Sequence, residues 1–335
     1  MGRGLDLFFA GGITFLALSA SSFLFKLPDS SFWWLNTLIA FPHFMSTYFV
    51  FYSSGGTWKK HPFISLVSPL LLFAVLAFAV WNIEGPWLQR LTHLTFALFF
   101  WHYLKQSFGV SLWLGTSRRP TSKEKSALLT AFGIVGGCGY LTAFHFPLPR
   151  EVFGLQLDPI YFPPLALQLA HWLPSLTVAV CVAALAIGHF HAKKSALRWQ
   201  GILPLAALWV WMDPMFENQP LRFLLPFFHG LQYLPFPGRV LIHSSSMKDR
   251  SSGFKIGGLS LAWGACFAIG YLLIYLFPEL ISHALKESSP RVPVAVVLFF
   301  NLHHYLVDAV AWRFREPAVA SRLTKSPQDL VRNAA

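Results

Sequence analysis

The chain has 335 residues, of which 55% are hydrophobic, 17% aromatic and only 12% charged. Ordinary soluble proteins carry about 25% charged residues, so this composition is typical of a membrane protein with several crossings. A formal net charge of +12 is also found in nucleic-acid-binding proteins. Here the cations are spread over short loops instead of one basic patch, and we expect no nucleic-acid partner.

Ten apolar segments, most of them about 18 residues or longer, predict an all-α fold, a polytopic membrane bundle of about ten spans. They lie at residues 6–25, 33–53, 62–81, 88–115, 126–144, 165–190, 201–213, 221–238, 256–277 and 293–312. The seventh and eighth are short for a crossing, and Asp213 and Glu217 separate them. Residues 1–315 are predicted to form one transmembrane domain and residues 316–335 a cytoplasmic tail.

The distribution of cations predicts the orientation of these spans. With a cytoplasmic N-terminus, nineteen Lys and Arg residues fall in cytoplasmic segments and six in outer segments. Cytoplasmic loops of membrane proteins carry an excess of these residues, so both termini are predicted to be cytoplasmic. We expect a multi-pass protein of a bacterial-type inner (plasma) membrane, in contact with membrane lipid.

Five of the thirteen histidines, all inside apolar segments, are candidates for one buried site. They are His43 in FPHFM, His102 in FWHYLKQ, His229 in FFHGLQY, and His303 and His304 in NLHHYLVD. The predicted topology gives their four spans the same direction, and the histidines lie at depths that agree within about one helical turn. An imidazole in hydrocarbon is costly unless something binds it, so these histidines are predicted metal ligands.

Polar residues one turn further along each span could orient the ligands, because a metal-bound imidazole usually donates its second N–H to a polar group. Asp308 follows His304 by four residues and is predicted to orient a ligand, and Tyr103 and Tyr233, with Tyr305 as an alternative, are candidates for proton delivery. Lys105 lies within a span and needs a partner there, for which Asp308 is the natural candidate.

Some choices stay open at this level. His303 and His304 are adjacent, so their rings point about 100° apart, and either could be the ligand. His189 and His191 at the end of the sixth span could join the site or lie at the membrane surface. A nitrogen-rich site without cysteine suits iron, zinc or copper, and a redox role favours iron.

The stretches PHFMST, WHYLKQSFG, FHGLQY and LHHYLVD occur in the order of four histidine motifs of the Brp/Blh family of membrane β-carotene 15,15'-dioxygenases. The chain resembles this family over these short stretches, with Thr47 where the first motif has aspartate. The resemblance implies a helical membrane fold, non-haem iron and oxidative cleavage or oxygenation of a polyene. It implies that the iron ligands are His43, His102, His229 and His303, and Asp308 matches the aspartate of the last motif.

The leading hypothesis is a membrane-embedded, histidine-liganded metalloenzyme, a non-haem iron oxygenase that combines dioxygen with a hydrophobic lipid or polyene substrate. An ion-coupled transporter is an alternative, because Lys105, Asp308, Asp213 and Glu217 could form a charged pathway. A haem-binding electron carrier is another, with axial ligands from His102 and either His229 or His304.

Overall fold

The computed structural model describes residues 3–19, 26, 28–53, 56–82, 86–115, 120–145, 148, 150–152, 155–192, 198–212, 224–242, 251–286 and 291–311. About 89% of these residues are helical, which confirms the all-α class. The predicted tail, the predicted domain boundary at residue 315, and Asp213 and Glu217 lie outside the described residues.

The described residues form twelve helices and one small hairpin. In chain order the helices are α1 (Arg3–Leu7, a π-helical turn Phe8–Gly12, and Ile13–Ser19), α2 (Asp29–Ser53), α3 (Thr57–Lys60), α4 (a π-helical turn Phe63–Val67, then Ser68–Trp81), α5 (Trp87–Gly115), α6 (Ser122–Phe144), α7 (Pro164–Ala192), α8 (Leu203–Met212, after a 3₁₀ turn Trp199–Gly201), α9 (Leu225–Tyr233), α10 (Pro235–Ile242), α11 (Ser252–Tyr271, a π-helical turn Leu272–Leu276, and Phe277–Ala284) and α12 (Arg291–Ala311). Between α6 and α7, strand β1 (Arg150–Val152) pairs antiparallel with β2 (Leu155–Leu157).

Each predicted segment overlaps a helix, but length and composition alone do not confirm ten spans. Within the described ranges, five helices are long and apolar enough to cross a membrane: Phe63–Trp81, Ser122–Phe144, Pro164–Ile187, Gly253–Ala284 and Arg291–Ala311. α8 has only 10 residues and α9 only 9, which gives each helix a length of about 15 Å against a hydrocarbon layer of about 30 Å. Each of these two helices, taken alone, is therefore shorter than the hydrocarbon layer.

α2 and α5 are long enough for a crossing, with 25 and 29 residues, yet they are not among the five. Their apolar character is reduced by polar residues that the protein buries, among them His43 and Thr47 in α2 and His102, Ser107 and Ser111 in α5. Each helix directs these polar side chains into the bundle and keeps an exposed apolar face. The two helices supply His43 and His102 to the predicted site.

The largest apolar core lies where α5, α6, α8 and α9 meet. Its fully buried members include Phe132 of α6, Leu205 and Leu208 of α8, and Phe228 of α9, which is next to His229. The short helices α8 and α9 are thus surrounded by longer ones.

α11 packs closely on α2 through Gly270. A Cβ atom added there would lie 2.6 Å from Cβ and 3.2 Å from Cα of Phe41, two residues before His43. Because part of this contact is with the backbone, a side chain at position 270 would push the two helices apart. Gly264, in the same helix, has nothing within 4 Å of an added Cβ atom.

Gly270→Ala is therefore expected to lower the free energy of unfolding by about 1 to 3 kcal/mol. Gly264→Ala should be neutral or stabilising by up to about 1 kcal/mol, because alanine favours the helix over glycine. Thermal unfolding of both variants in the same detergent measures the difference. Equal unfolding temperatures would show that α2 and α11 are not packed through Gly270.

A buried ion pair fixes α1, and the sequence patterns did not predict it. Asp6 and Arg239 are each 3% exposed; Nη2 of Arg239 donates to Oδ2 of Asp6, and its guanidinium lies 5.0 Å from the ring of Trp113. Arg239 directly follows the eighth predicted segment, 221–238, and is one of the nineteen cations expected in cytoplasmic segments, whereas the structure buries it in α10. Further along α1, the indole N–H of Trp211 donates to the hydroxyl of Thr14 at 3.0 Å.

Candidate metal centre

Hydrogen bonds near both ends of α9 define how it lies against α2. The backbone N–H of Phe227 donates to Oδ1 of Asn36 at 3.1 Å, and six residues later the hydroxyls of Tyr233 and Thr47 are hydrogen-bonded. Residue numbers rise together along both helices, so α2 and α9 run in the same direction. The predicted topology requires this direction.

α5 and α12 follow the same direction. Leu88, near the start of α5, shares an apolar cluster with Val294 and Leu298 of α12. Further along, the ring of His102 lies 5.2 Å from the ring of His304. α5 and α9 also run alike, since His102 and then Ser107 of α5 contact His229 and then Gln232 of α9. Four helices that run alike therefore present histidines to one region.

The side chains of His43, His102, His229 and His304 converge in that region. Nε2 of His43 lies 3.1 Å from Nε2 of His304, and Nε2 of His102 lies 3.1 Å from Nε2 of His229. One ring nitrogen each of His43, His102 and His229 can be chosen so that all lie within 4.8 Å of one another, a grouping that could hold a metal ion and that does not include His304. All four residues are at most 7% exposed.

His303 lies outside this cluster. Its Nδ1 is 3.1 Å from the hydroxyl of Tyr48, and its Nε2 is 2.9 Å from the carbonyl oxygen of Ile64. Both nitrogens are thus occupied by groups of α2 and α4. The structure places His304 beside the other three histidines, and His303, the histidine to which the family resemblance pointed, against a different face.

Two tyrosine rings stack on imidazole rings of the cluster. Tyr103, which follows His102 in α5, stacks on His229 with 3.9 Å between ring centroids. Tyr305, which follows His304 in α12, stacks on His102 at 4.5 Å. Each of these helices therefore supplies one histidine to the cluster and a tyrosine that stacks on a histidine of a neighbouring helix.

Tyr233 has a different relation to the cluster. Its ring meets the ring of His43 edge to face, at a centroid distance of 4.2 Å, and its hydroxyl is hydrogen-bonded to Thr47. Thr47 also donates to the carbonyl of His43 at 3.2 Å. Thr47, which stands where the resembling family has aspartate, thus connects Tyr233 to the backbone of a candidate ligand.

Amide side chains hold α9 in place beside α5 and α1. Nε2 of Gln106 donates to the carbonyl of His229 at 3.1 Å. Gln232 is fully buried; its Oε1 accepts from the hydroxyl of Ser107 at 2.8 Å and its Nε2 donates to the carbonyl of Ala10 at 2.8 Å. A nine-residue helix has few hydrogen bonds of its own, so these contacts fix where His229 lies.

Asp308 lies on the same side of the cluster as His102. Its Oδ2 is 3.9 Å from Nδ1 of His102, and the carboxylate side chain is 11% exposed. This is longer than a hydrogen bond, so it is an electrostatic contact. Among the described residues, Nδ1 of His43, His229 and His304 makes no hydrogen bond.

Lys105 does not join the site as predicted. Its side chain is exposed, and Nζ lies 5.6 Å from the ring of Trp101 and 5.7 Å from that of Phe108. The expected pairing with Asp308 is therefore wrong. Lys105 follows the exposed Trp101 by four residues, so the two side chains share the outer face of α5.

The geometry of the histidine cluster also bears on haem. Two axial histidines bind opposite faces of a haem iron, so their nitrogens are about 4 Å apart with the porphyrin plane between them. The 3.1 Å between the Nε2 atoms of His102 and His229 is too short for this arrangement. Two further imidazoles, of His43 and His304, occupy the surrounding space.

Other polar contacts around the cluster were missed in the sequence. Ser107 is fully buried and Asn301 is 9% exposed; Asn301 accepts from the Tyr305 hydroxyl at 3.1 Å. Both follow the helical spacing from a predicted site residue, which is the signal that could have identified them: Ser107 lies four residues after Tyr103 and Asn301 three before His304. The side chains of His189 and His191 lie outside the described residues.

No family model matches the chain, and no curated protein or solved structure matches it either.

Proposed function

We propose that the protein is a multi-pass membrane protein, of the plasma membrane of a bacterial-type cell, with one metal ion bound by four histidines inside the bundle. The observation that carries this proposal is the convergence of His43, His102, His229 and His304 from four different helices. The five long apolar helices support the membrane location.

The donor set fits a transition-metal ion. Two nitrogens that bind one ion at bond lengths of about 2.0 to 2.1 Å lie roughly 2.9 to 3.4 Å apart when they occupy neighbouring positions. The two Nε2 pairs, each at 3.1 Å, fall in this range. Imidazole suits iron, zinc and copper, and the described cluster contains no cysteine that would favour a thiolate site.

We propose iron as the ion and an oxygenase as the activity, as the family resemblance implies. Non-haem iron, when bound, supplies the ability to bind and activate dioxygen. The protein's own residues would hold the ion, orient its ligands and keep water away. Tyr103 and Tyr305 fix two of the rings by stacking, and Asp308 supplies negative charge next to His102.

A hydrophobic substrate, a lipid or a polyene, fits the surroundings of the site. The imidazoles are lined by aromatic rings: Phe44 lies 4.7 Å from His304 and Tyr233 lies 4.2 Å from His43. These rings leave little in the described part of the site for a charged substrate to bind. Proton delivery by Tyr103 or Tyr233 remains part of this proposal.

The experiment that tests the proposal is metal analysis of the protein purified in detergent. We expect about one iron per chain and no Soret band, since the Nε2 atoms of His102 and His229 lie closer together than two axial ligands of a haem. The double variant His43→Ala/His102→Ala, prepared in parallel, controls for adventitious metal and should contain none. A wild-type protein with no more metal than this variant would overturn the metalloenzyme and leave an ion-coupled transporter as the better hypothesis.

A further inference from the structure

The side chain of His303 connects three helices. Nε2 of its ring is 2.9 Å from the carbonyl oxygen of Ile64 in α4, and a carbonyl oxygen only accepts, so this nitrogen carries the proton. Nδ1 of the neutral ring then accepts from the hydroxyl of Tyr48 in α2 at 3.1 Å. His303 itself belongs to α12 and is 4% exposed. Both nitrogens are satisfied, without any metal.

The carbonyl of Ile64 is available because of the sequence of α4. In an α-helix the N–H of Ser68 would bond to Ile64, but in the π-helical turn it bonds to the carbonyl of Phe63. The next possible donor is residue 69, which is proline and has no N–H. The Ile64 carbonyl therefore has no backbone donor and accepts instead from the hydroxyl of Ser68 at 2.9 Å and from His303.

This contact sets the rotation of α12 about its axis. Adjacent residues on a helix point about 100° apart, so holding His303 against α4 directs His304 towards α2. There Nε2 of His304 lies 3.1 Å from Nε2 of His43. Tyr48 lies five residues after His43 on the same helix, so the bond from Tyr48 to His303 also fixes α2 against α12.

We propose that His303 is a positioning residue for the metal centre: held by the Ile64 carbonyl that Pro69 leaves free, it directs His304 towards the bound ion without binding the ion itself. The inference rests on the proposed function, because it concerns how the four-histidine cluster is held in its binding geometry. It assigns the adjacent histidines two different tasks, and it gives a proline in α4 an effect on a site formed by other helices.

Binding of Co²⁺ to the metal-free protein tests the inference, because the visible absorption of Co²⁺ reports on its coordination. His303→Ala should lower Co²⁺ affinity about tenfold, the lower end of the effect of residues that support metal ligands, and change the absorption spectrum. His303→Gln should restore most of both, since the glutamine Nε2 can donate to the same carbonyl. Pro69→Ala should weaken binding similarly, because the new backbone N–H at position 69 can then donate to that carbonyl.

The double variant His303→Ala/Pro69→Ala should bind no more weakly than His303→Ala alone, since both changes break one contact. Pro174→Ala, a proline inside α7, which packs on α6, is the matched control and should leave the affinity unchanged. Unaltered affinity in both single variants, or complete loss of Co²⁺ in His303→Ala with no rescue by glutamine, would overturn the inference. Failure of the wild-type protein to bind Co²⁺ would instead overturn the proposed function.

Discussion

Replacing His304 by alanine is expected to lower metal affinity by about two to three orders of magnitude. Structural sites with four ligands bind zinc with about 10 to 16 kcal/mol, so one ligand of four contributes roughly 3 to 4 kcal/mol. The same loss is expected for His43→Ala, His102→Ala and His229→Ala, and activity should fall with bound metal. Competition with a chelator of known affinity measures the loss.

His303→Ala is the sharpest control for this series, because it removes the same side chain from the next position. It should retain the metal with only about a tenfold loss of affinity, as expected of a residue that supports a ligand. His283→Ala, at an exposed position of α11, should have no effect. The opposite ranking, with His303 essential and His304 dispensable, would match the family resemblance and contradict the arrangement of the four rings.

Removing the carboxylate of Asp6 should lower the stability of the protein more than Gly270→Ala does. Asp6→Ala leaves the Arg239 guanidinium buried without its partner, and breaking a buried ion pair from one side costs about 3 to 5 kcal/mol. We expect a large drop in unfolding temperature in detergent, and Arg239→Met should lower that temperature similarly because it leaves the Asp6 carboxylate buried without its partner. The measurement is thermal unfolding under identical conditions.

The double variant Asp6→Ala/Arg239→Met tests whether Asp6 and Arg239 stabilise the protein as a pair. It should recover much of the stability lost in Asp6→Ala, since the uncompensated charge is gone and an apolar side chain fills the site. Losses that simply add would mean that Asp6 and Arg239 act independently. The hydrogen bond from Trp211 to Thr14 remains intact in every variant and serves as an internal reference for the packing of α1.

Much of the fold could be predicted from hydropathy. A chain segment in apolar surroundings must satisfy its own backbone hydrogen bonds, and long apolar helices do so. The meeting of His43, His102 and His229 followed from depth and direction alone, both of which are set by the chain. The number of crossings could not be predicted in this way. Hydropathy does not distinguish a span from a short apolar helix such as α8 or α9, which is kept from lipid by its neighbours.

The choice between His303 and His304 could not be made from the sequence either. It depends on the rotation of α12, and that rotation depends on a carbonyl of α4 more than two hundred residues earlier. The position of Lys105 was misjudged for a related reason. The spacing of Lys105 from His102 fits the inner face of α5, whereas its spacing from Trp101 fits the outer face. The packing of the whole bundle decides between the two faces.

The partners of α1 have a consequence for how the protein is made. Three hydrogen bonds tie α1 to other helices, and their side chains come from Trp211, Gln232 and Arg239. At a synthesis rate of about 5 to 20 residues per second, Arg239 leaves the ribosome roughly 10 to 50 s after Asp6. During that interval the first helix holds a carboxylate with no cation from α10 to neutralise it. α1 therefore cannot complete its contacts until the last third of the chain has been synthesised. Translation arrested before residue 239 would leave α1 accessible to proteases and to the insertion machinery.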